Sequence, residues 1–348
     1  MRRTRAVLFL AIPSFLAAQT PERISLKGRE VAIYNIVGRL QVVGGTGDRV
    51  VVEVTRGGRD AAQLRLITGD VRGRMSLRVR YPEDRIVYPQ SRWNGRSTFS
   101  MAEDGTWGVN GNWRSNSGRR IEVSSRGDGI EAHADLRVIV PRGKTLSIYH
   151  GIGETTVDNV DGNLSLDVAA SGVRVTHMKG SLSLDTGSGG VEVTDMTGDL
   201  TIDAGSGGAT LDGVRGGWLS MDVGSGSVRA RDLDVTEITG DVGSGGIRMS
   251  GVKTPILRLE TGSGSTEVEL LSAPRDVSIE AGSGGVTLRM PANTSASVDI
   301  ETGSGGIDTD FEVKLSRIER RALRGTIGTG TGRIRIESGS GSVRLMKS

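Results

Sequence analysis

Eight acidic residues occupy the same place in a recurring phrase. Asp185, Asp203, Asp222, Asp241, Glu260, Glu280, Glu301 and Glu337 each lie two residues before the first glycine of a Gly-Ser-Gly triplet. Carboxylates repeated at fixed intervals can do three kinds of chemistry. They can accept hydrogen bonds from the backbone N–H groups of the glycine corner, which form an anion-receptive nest. They can ligate a hard cation such as calcium. Two of them across a groove could hydrolyse a glycosidic bond. Calcium-binding β-rolls carry their acid after the glycines, whereas here it comes before. A repeat also supplies carboxylate pairs everywhere, so no pair is marked as acid and base. A structural acidic column held by the glycine corners is the expected role, with no metal and no cofactor assigned.

Other catalytic signals are weak. Gly-Ser-Gly occurs eight times, so no single serine is marked as a nucleophile, and the strand-to-helix elbow that such a serine needs is not readable. His133, His150 and His177 are scattered without ligand spacing, and the chain has no cysteine. Phosphate loops and dinucleotide fingerprints are missing from the sequence. No catalytic residue is assigned.

The elements that position the acids follow from the spacing. Seven triplets, at Gly187, Gly205, Gly224, Gly243, Gly262, Gly282 and Gly303, follow one another at nearly even intervals, and an eighth stands at Gly339 after a longer gap. Leu200-Thr201-Ile202-Asp203 before a triplet and Ile247-Arg248-Met249 after one alternate with period two, which predicts two short strands with one buried face each. The glycines between them are expected to supply the positive φ of a tight corner. A third apolar position, as in Met178, Met196, Val214 and Val252, predicts a third short side. At roughly 3.3 Å per residue, such a repeat traces about 60 Å, one coil of a β-solenoid.

The fold class expected is therefore all-β: a single-stranded β-solenoid, or β-helix, of about 18–21 residues per coil with irregular caps at both ends. Right-handed winding is expected, because parallel crossovers are overwhelmingly right-handed. One coil buries too little to fold alone, so coils must stack. Only residues 314–324 carry a helical period.

The 348 residues include 53 Gly and only 3% aromatic residues, which suits a thin stack with a small-aliphatic core. Arg2, Arg3 and Arg5 precede an apolar run from Ala6 to Leu16, and small residues follow, so residues 1–19 read as a signal peptide. Their removal would take the formal charge from +3 to 0. A balanced mature chain has no electrostatic footprint for nucleic acid. It also contains no other apolar run of membrane-spanning length. An extracytoplasmic bacterial protein is expected, whether periplasmic, surface-bound or secreted.

Residues 20–145 read as irregular strands forming an N-terminal cap, and 146–348 as the regular solenoid with an atypical C-terminal coil at 307–348. Within the first part, residues 86–120 break the pattern and hold Trp93, Trp107 and Trp113. Indole rings beside Asn and Arg can contact glycan or peptide; equally, they can clamp a long loop to the stack.

The turn Val140-Pro141-Arg142-Gly143, the repeated acidic-x-Gly-Ser-Gly corners and the ending from Gly332 to Leu345 resemble the bacterial putative adhesin family, domains of unknown function with β-strand repeats related to toast-rack domains of envelope-stress proteins. The resemblance spans residues 28–348 and leaves out the tryptophan-bearing insertion. It implies a toast-rack-like solenoid and brings no catalytic residues. The function expected is non-enzymatic: an exported adhesin-like or scaffold protein of the cell envelope that binds glycan, peptide or another envelope protein. Two alternatives stand beside it, a carbohydrate-active β-helix enzyme and a partner in envelope-stress sensing.

Overall fold

The computed structural model describes residues 21–89, 95–108 and 118–348. The expected signal peptide lies outside them. Twenty-eight described strands join one continuous sheet, and no α-helix occurs among the described residues. Alternating aliphatics dictate the walls. In Leu200–Ala204, Leu200, Ile202 and Ala204 are buried while Thr201 and Asp203 face out. Successive coils stack in parallel with matching registers, so Leu182 lies beside Leu200, and Leu200 beside Leu219. The second wall repeats the scheme, with Val191 beside Ala209 and Ala209 beside Val228. The short third side pairs through Asp161, Lys179 and Thr197.

Two kinds of corner separate the sides, and they use glycine differently. At the turn into the third side, Asn159, His177, Asp195, Gly213, Asp232 and Gly251 recur once per coil with φ between 51° and 68°. Asn, Asp, His and Gly tolerate this left-handed conformation best, which accounts for His177.

The Gly-Ser-Gly corner differs from the expectation. Neither Gly205 nor Gly207 adopts a positive φ. Their constraint is proximity, since a Cβ on Gly207 would stand 1.9 Å from the carbonyl oxygen of Gly189, and one on Gly245 just as close to that of Gly226. Corner backbone stacks directly on corner backbone, and a side chain would force the coils apart.

Antiparallel strands close both ends. At the N-terminal end, Arg65–Val71 lies against Arg74–Arg80, and Glu22–Leu26 against Val50–Gly57. At the other end, Val313–Glu319 and Ala322–Ile327 form a hairpin whose second strand pairs with Ala296–Thr302. The helical period read in 314–324 thus belongs to strands, because edge pairing decides the conformation over local pattern. Such ends cover the open hydrogen-bonding edges of the stack.

Coil order departs from chain order near the C-terminus. Gly332–Ser338 pairs with Asp276–Ala281 on one side and with Ala296–Thr302 on the other. The last coil is therefore inserted between its two predecessors. The interval from Gly282 to Gly303 is the longest between neighbours among the first seven triplets, because that segment climbs two coil heights.

Backbone proximity at the corners makes a direct test. Gly207→Ala is expected to lower stability by about 1–3 kcal/mol or more, as overpacking does. Gly306→Ala, where an added Cβ meets nothing within 4 Å, should stay within about 0.5 kcal/mol of the parent. Thermal or urea melts of the two variants measure the difference, and equal losses would refute the stacking explanation.

Candidate functional site

Outward positions of the first wall fall into columns because the registers never slip along it. The carboxylate column runs Asp167, Asp185, Asp203, Asp222, Asp241, Glu260, Glu280, Glu337, Glu301, with Glu337 ahead of Glu301 through the inserted coil. Asp167, which the phrase-based reading did not include, begins it. Its corner is the degenerate Ala169-Ala170-Ser171-Gly172, so the Gly-Ser-Gly signature misses it. Beside this column, two residues earlier, runs one of hydroxyls: Ser165, Ser183, Thr201, Ser220 and Thr239.

The expected hydrogen bonds from the corner nests do not form. Gly205 N–H donates to the carbonyl of Thr186 at 2.9 Å, Ser206 N–H to Gly187 at 3.1 Å, and Gly224 N–H to Ala204 at 2.9 Å. These corner amides thus close the coil-to-coil ladder and are unavailable to the acids. At the far end arginines supply compensation: Arg324 reaches Asp299 at 2.7 Å and Glu301 at 2.5 Å, and Arg335 pairs with Glu337. Asp185, Asp203, Asp222 and Asp241 have no ion pair or side-chain hydrogen bond among the described residues.

Burial and charge repulsion together show in the proton affinities at the start of the column. Burial, and then the charge of Asp185, push the Asp167 carboxyl up to about 8. Burial followed by the next coil's aspartate raises Asp185 and Asp203 as well. The first wall also carries concavities, one of about 490 Å³ lined by Glu260, Glu280, Glu301 and Glu337.

The insertion packs over the start of this wall. Arg85–Val87, Arg96–Met101 and Arg119–Ser124 form a small separate sheet. Trp107 is 3% exposed, edge-on to Phe99 at 5.3 Å and to Tyr149 at 6.4 Å, and Tyr149 stacks flat on Tyr34 at 4.6 Å. Tyr34, Tyr149 and Asp167 are successive rungs of one ladder, so the aromatic clamp sits on the column that continues into the aspartates. A Cβ built on Gly108 would lie 3.2 Å from Asp167 Oδ2, which places the insertion over that carboxyl.

Of the tryptophans proposed for ligand contact, Trp107 is therefore a core residue, and Trp93 and Trp113 lie outside the described residues. Sequence reading passed over Trp218, which is 55% exposed and shares its strand face with Ser220 and Asp222. Asp199 and Glu237 flank it on adjacent coils. The histidines do not converge: His133 is buried against Tyr88, His150 is fully buried, and His177 is an exposed turn residue facing Asp158.

Parallel three-sided coils with stacked corners and outward ladders define a β-solenoid protein. Residues 116–346, about two thirds of the chain, match the family described as Toastrack DUF4097, and the chain belongs to that family. No curated protein matches the sequence. Two solved structures are similar to it at low identity. One, from Clostridium sporogenes, is described as a putative cell adhesion protein and is 10% identical over 94% of this chain and 100% of that one, with a TM-score of 0.24. The other, from Bacteroides fragilis, is described as a putative adhesin and is 11% identical over 94% and 98%, with a TM-score of 0.26.

Two measurements test the site. Trp107→Ala should destabilise the fold by about 3–5 kcal/mol, as removal of a buried aromatic does. Asp167→Asn should act in a pH-dependent way. A raised folded-state affinity means the unfolded chain ionises first, so Asp167 takes away increasing stability as pH rises from about 4 through about 8. The variant is expected to match the parent near pH 4 and to exceed it by a few kcal/mol at pH 8, each tenfold change in proton affinity being about 1.4 kcal/mol. Urea melts at both pH values report this, and a pH-independent difference would contradict it.

Proposed function

We propose that the protein acts by binding rather than by catalysis, as an exported adhesin-like component of the bacterial cell envelope, with the first wall as its docking face. The observation that carries this reading is Trp218, an exposed indole on a flat face of hydroxyls and carboxylates. An aromatic ring among oxygen donors and acceptors suits a pyranose, whose C–H face stacks on indole while its hydroxyls hydrogen-bond around it. Glycan is accordingly the preferred ligand over peptide or another envelope protein. Repetition favours binding too, since every coil presents nearly the same outward pair and no rung is distinguished as a reaction centre. Family membership fits an adhesin-like role and leaves the partner open.

The export reading rests on the arginine-led apolar segment at residues 2–16. N-terminal sequencing of protein recovered from the cell envelope should begin near Thr20, and recovery of intact protein from the cytoplasm would overturn it.

A glycan array combined with a reducing-sugar release assay tests the function. Binding without release is expected, and sugar release would establish the carbohydrate-active alternative in its place. Trp218→Ala should weaken any glycan retained by at least about tenfold, as loss of an aromatic anchor does, with little change in melting temperature because the ring is exposed.

A further inference from the structure

Along the aspartate column like charges follow one another without a basic partner among the described residues, and the second wall makes a contrast. On the second wall several acids and bases of adjacent coils meet: Arg174 with Glu192 at 2.9 Å, Arg231 with Asp212 at 2.5 Å, Arg248 with Glu267 at 2.9 Å, although Arg229 lies opposite Arg248. On the first wall five aspartates follow one another in register with no basic residue between them. Strand spacing sets neighbours about 4.8 Å apart, where two carboxylates repel by about 0.9 kcal/mol in water. The amides of Gly205, Ser206, Gly224 and Ser225, the obvious internal counter-dipoles, are spent on the preceding coil.

A second observation lies at the buried end of the column. Asp167 is 7% exposed, and its Oδ1 has no hydrogen-bond partner among the described residues. A buried carboxyl oxygen without a partner costs free energy unless a proton or a cation satisfies it, and this one stands next to Asp185 on the ladder. We propose that the column from Asp167 through Asp241 is a binding edge for hard divalent cations of the calcium type, each ion bridging the carboxylates of successive coils.

The dimensions agree. Calcium takes 6–8 oxygens at 2.3–2.6 Å, so oxygens on opposite sides of one ion lie up to about 5 Å apart, close to the distance between coils. Carboxylates of neighbouring coils can share an ion without moving the backbone. The adjoining hydroxyl column of Ser183, Thr201, Ser220 and Thr239 adds oxygen donors alongside. No group of three or more metal-ligating side chains converges among the described residues. Each ion thus has two carboxylates and completes its shell largely with water, which sets the affinity at the weak end for calcium, a Kd of about 10⁻⁴–10⁻³ M, as in extracellular modules.

The inference is independent of the glycan reading, because it rests on the aspartates and not on Trp218. Calorimetric titration of the full chain with calcium chloride at fixed ionic strength tests it, together with melting curves. Uptake in the stated range and a calcium-specific rise in melting temperature are expected. Asp203→Asn combined with Asp222→Asn should lower the affinity at least about tenfold. Both side chains are exposed and unpaired, so the fold should survive. Should the double variant melt early, Asp241→Asn alone replaces it, with a smaller loss of the same sign. Glu267→Gln, on the arginine-paired second wall, should leave uptake unchanged. Absence of uptake at about 10 mM calcium, undiminished uptake in the aspartate variants, or binding of spermine in place of calcium would each overturn the proposal and leave the glycan reading standing.

Discussion

The contact of corner backbone with corner backbone governs this structure. With Cβ distances near 2 Å at Gly207, Gly226, Gly245 and Gly264, no other residue fits without parting the coils. Close stacking lets each corner amide reach the preceding coil, as Gly243 N–H does to Val223 and Ser244 N–H to Gly224. Those bonds tie one coil to the next at the bend, where a strand ladder alone would be interrupted. Because the bend cannot slide, neither can the strands that leave it. Val223, Val242, Thr261 and Ala281 therefore arrive at the same inward place before each corner.

A fixed register has a consequence on the outside. Whatever residue stands at an outward position meets its counterpart on the next coil, so the surface becomes a set of columns whose chemistry is set column by column. Cross-strand neighbours of opposite charge stabilise a sheet and like charges directly opposite destabilise it. The second wall follows the favourable rule at three arginine–carboxylate pairs and departs from it where Arg229 faces Arg248. The first wall breaks it from Asp167 through Glu280, seven carboxylates in register, and meets bases near the end, where Arg324 and Arg335 pair with Glu301 and Glu337. Places where a local rule fails while its surroundings obey are where function is to be sought. Here the failure coincides with the exposed indole of Trp218 on the same wall.

Much of the architecture was legible because a short, steady repeat of alternating aliphatics and glycine corners has few physical solutions. What stayed hidden has physical causes. A glycine needed for left-handed backbone and one needed for close approach look alike in sequence; only the neighbouring coil distinguishes Gly207 from Gly213. The nest reading failed since an amide has one proton, and coil stacking claims it. Asp167 escaped notice because its corner lost the triplet while its strand, Gly162–Val168, kept the register. Trp218 was invisible as a surface residue because period-two alternation marks a position as outward only once the strand's phase is known, and Gly216-Gly217 obscures that phase. Trp107 sits in a segment without repeat, where no register could say that Phe99 and Tyr149 await it.

The inserted last coil follows from the same regularity. Since all coils offer one register, a strand such as Gly332–Ser338 finds matching partners at any level, and chain order does not by itself decide where it lies. Two features decide it here. The segment after Met290 is long enough to pass over one level, and the hairpin Val313–Glu319 with Ala322–Ile327 lies antiparallel on Ala296–Thr302, which closes the outer edge of that coil to further parallel stacking. With the outer edge taken, the vacant level beneath is the remaining position where Ile334, Ile336, Val343 and Leu345 can all be buried, and all four are. Among the described strands Ala296–Thr302 has no direct pairing to Asp276–Ala281, and its parallel pairing to the stack runs through the tail. The terminal coils thus form one cooperative unit in which cap, inserted coil and outer coil hold one another in place.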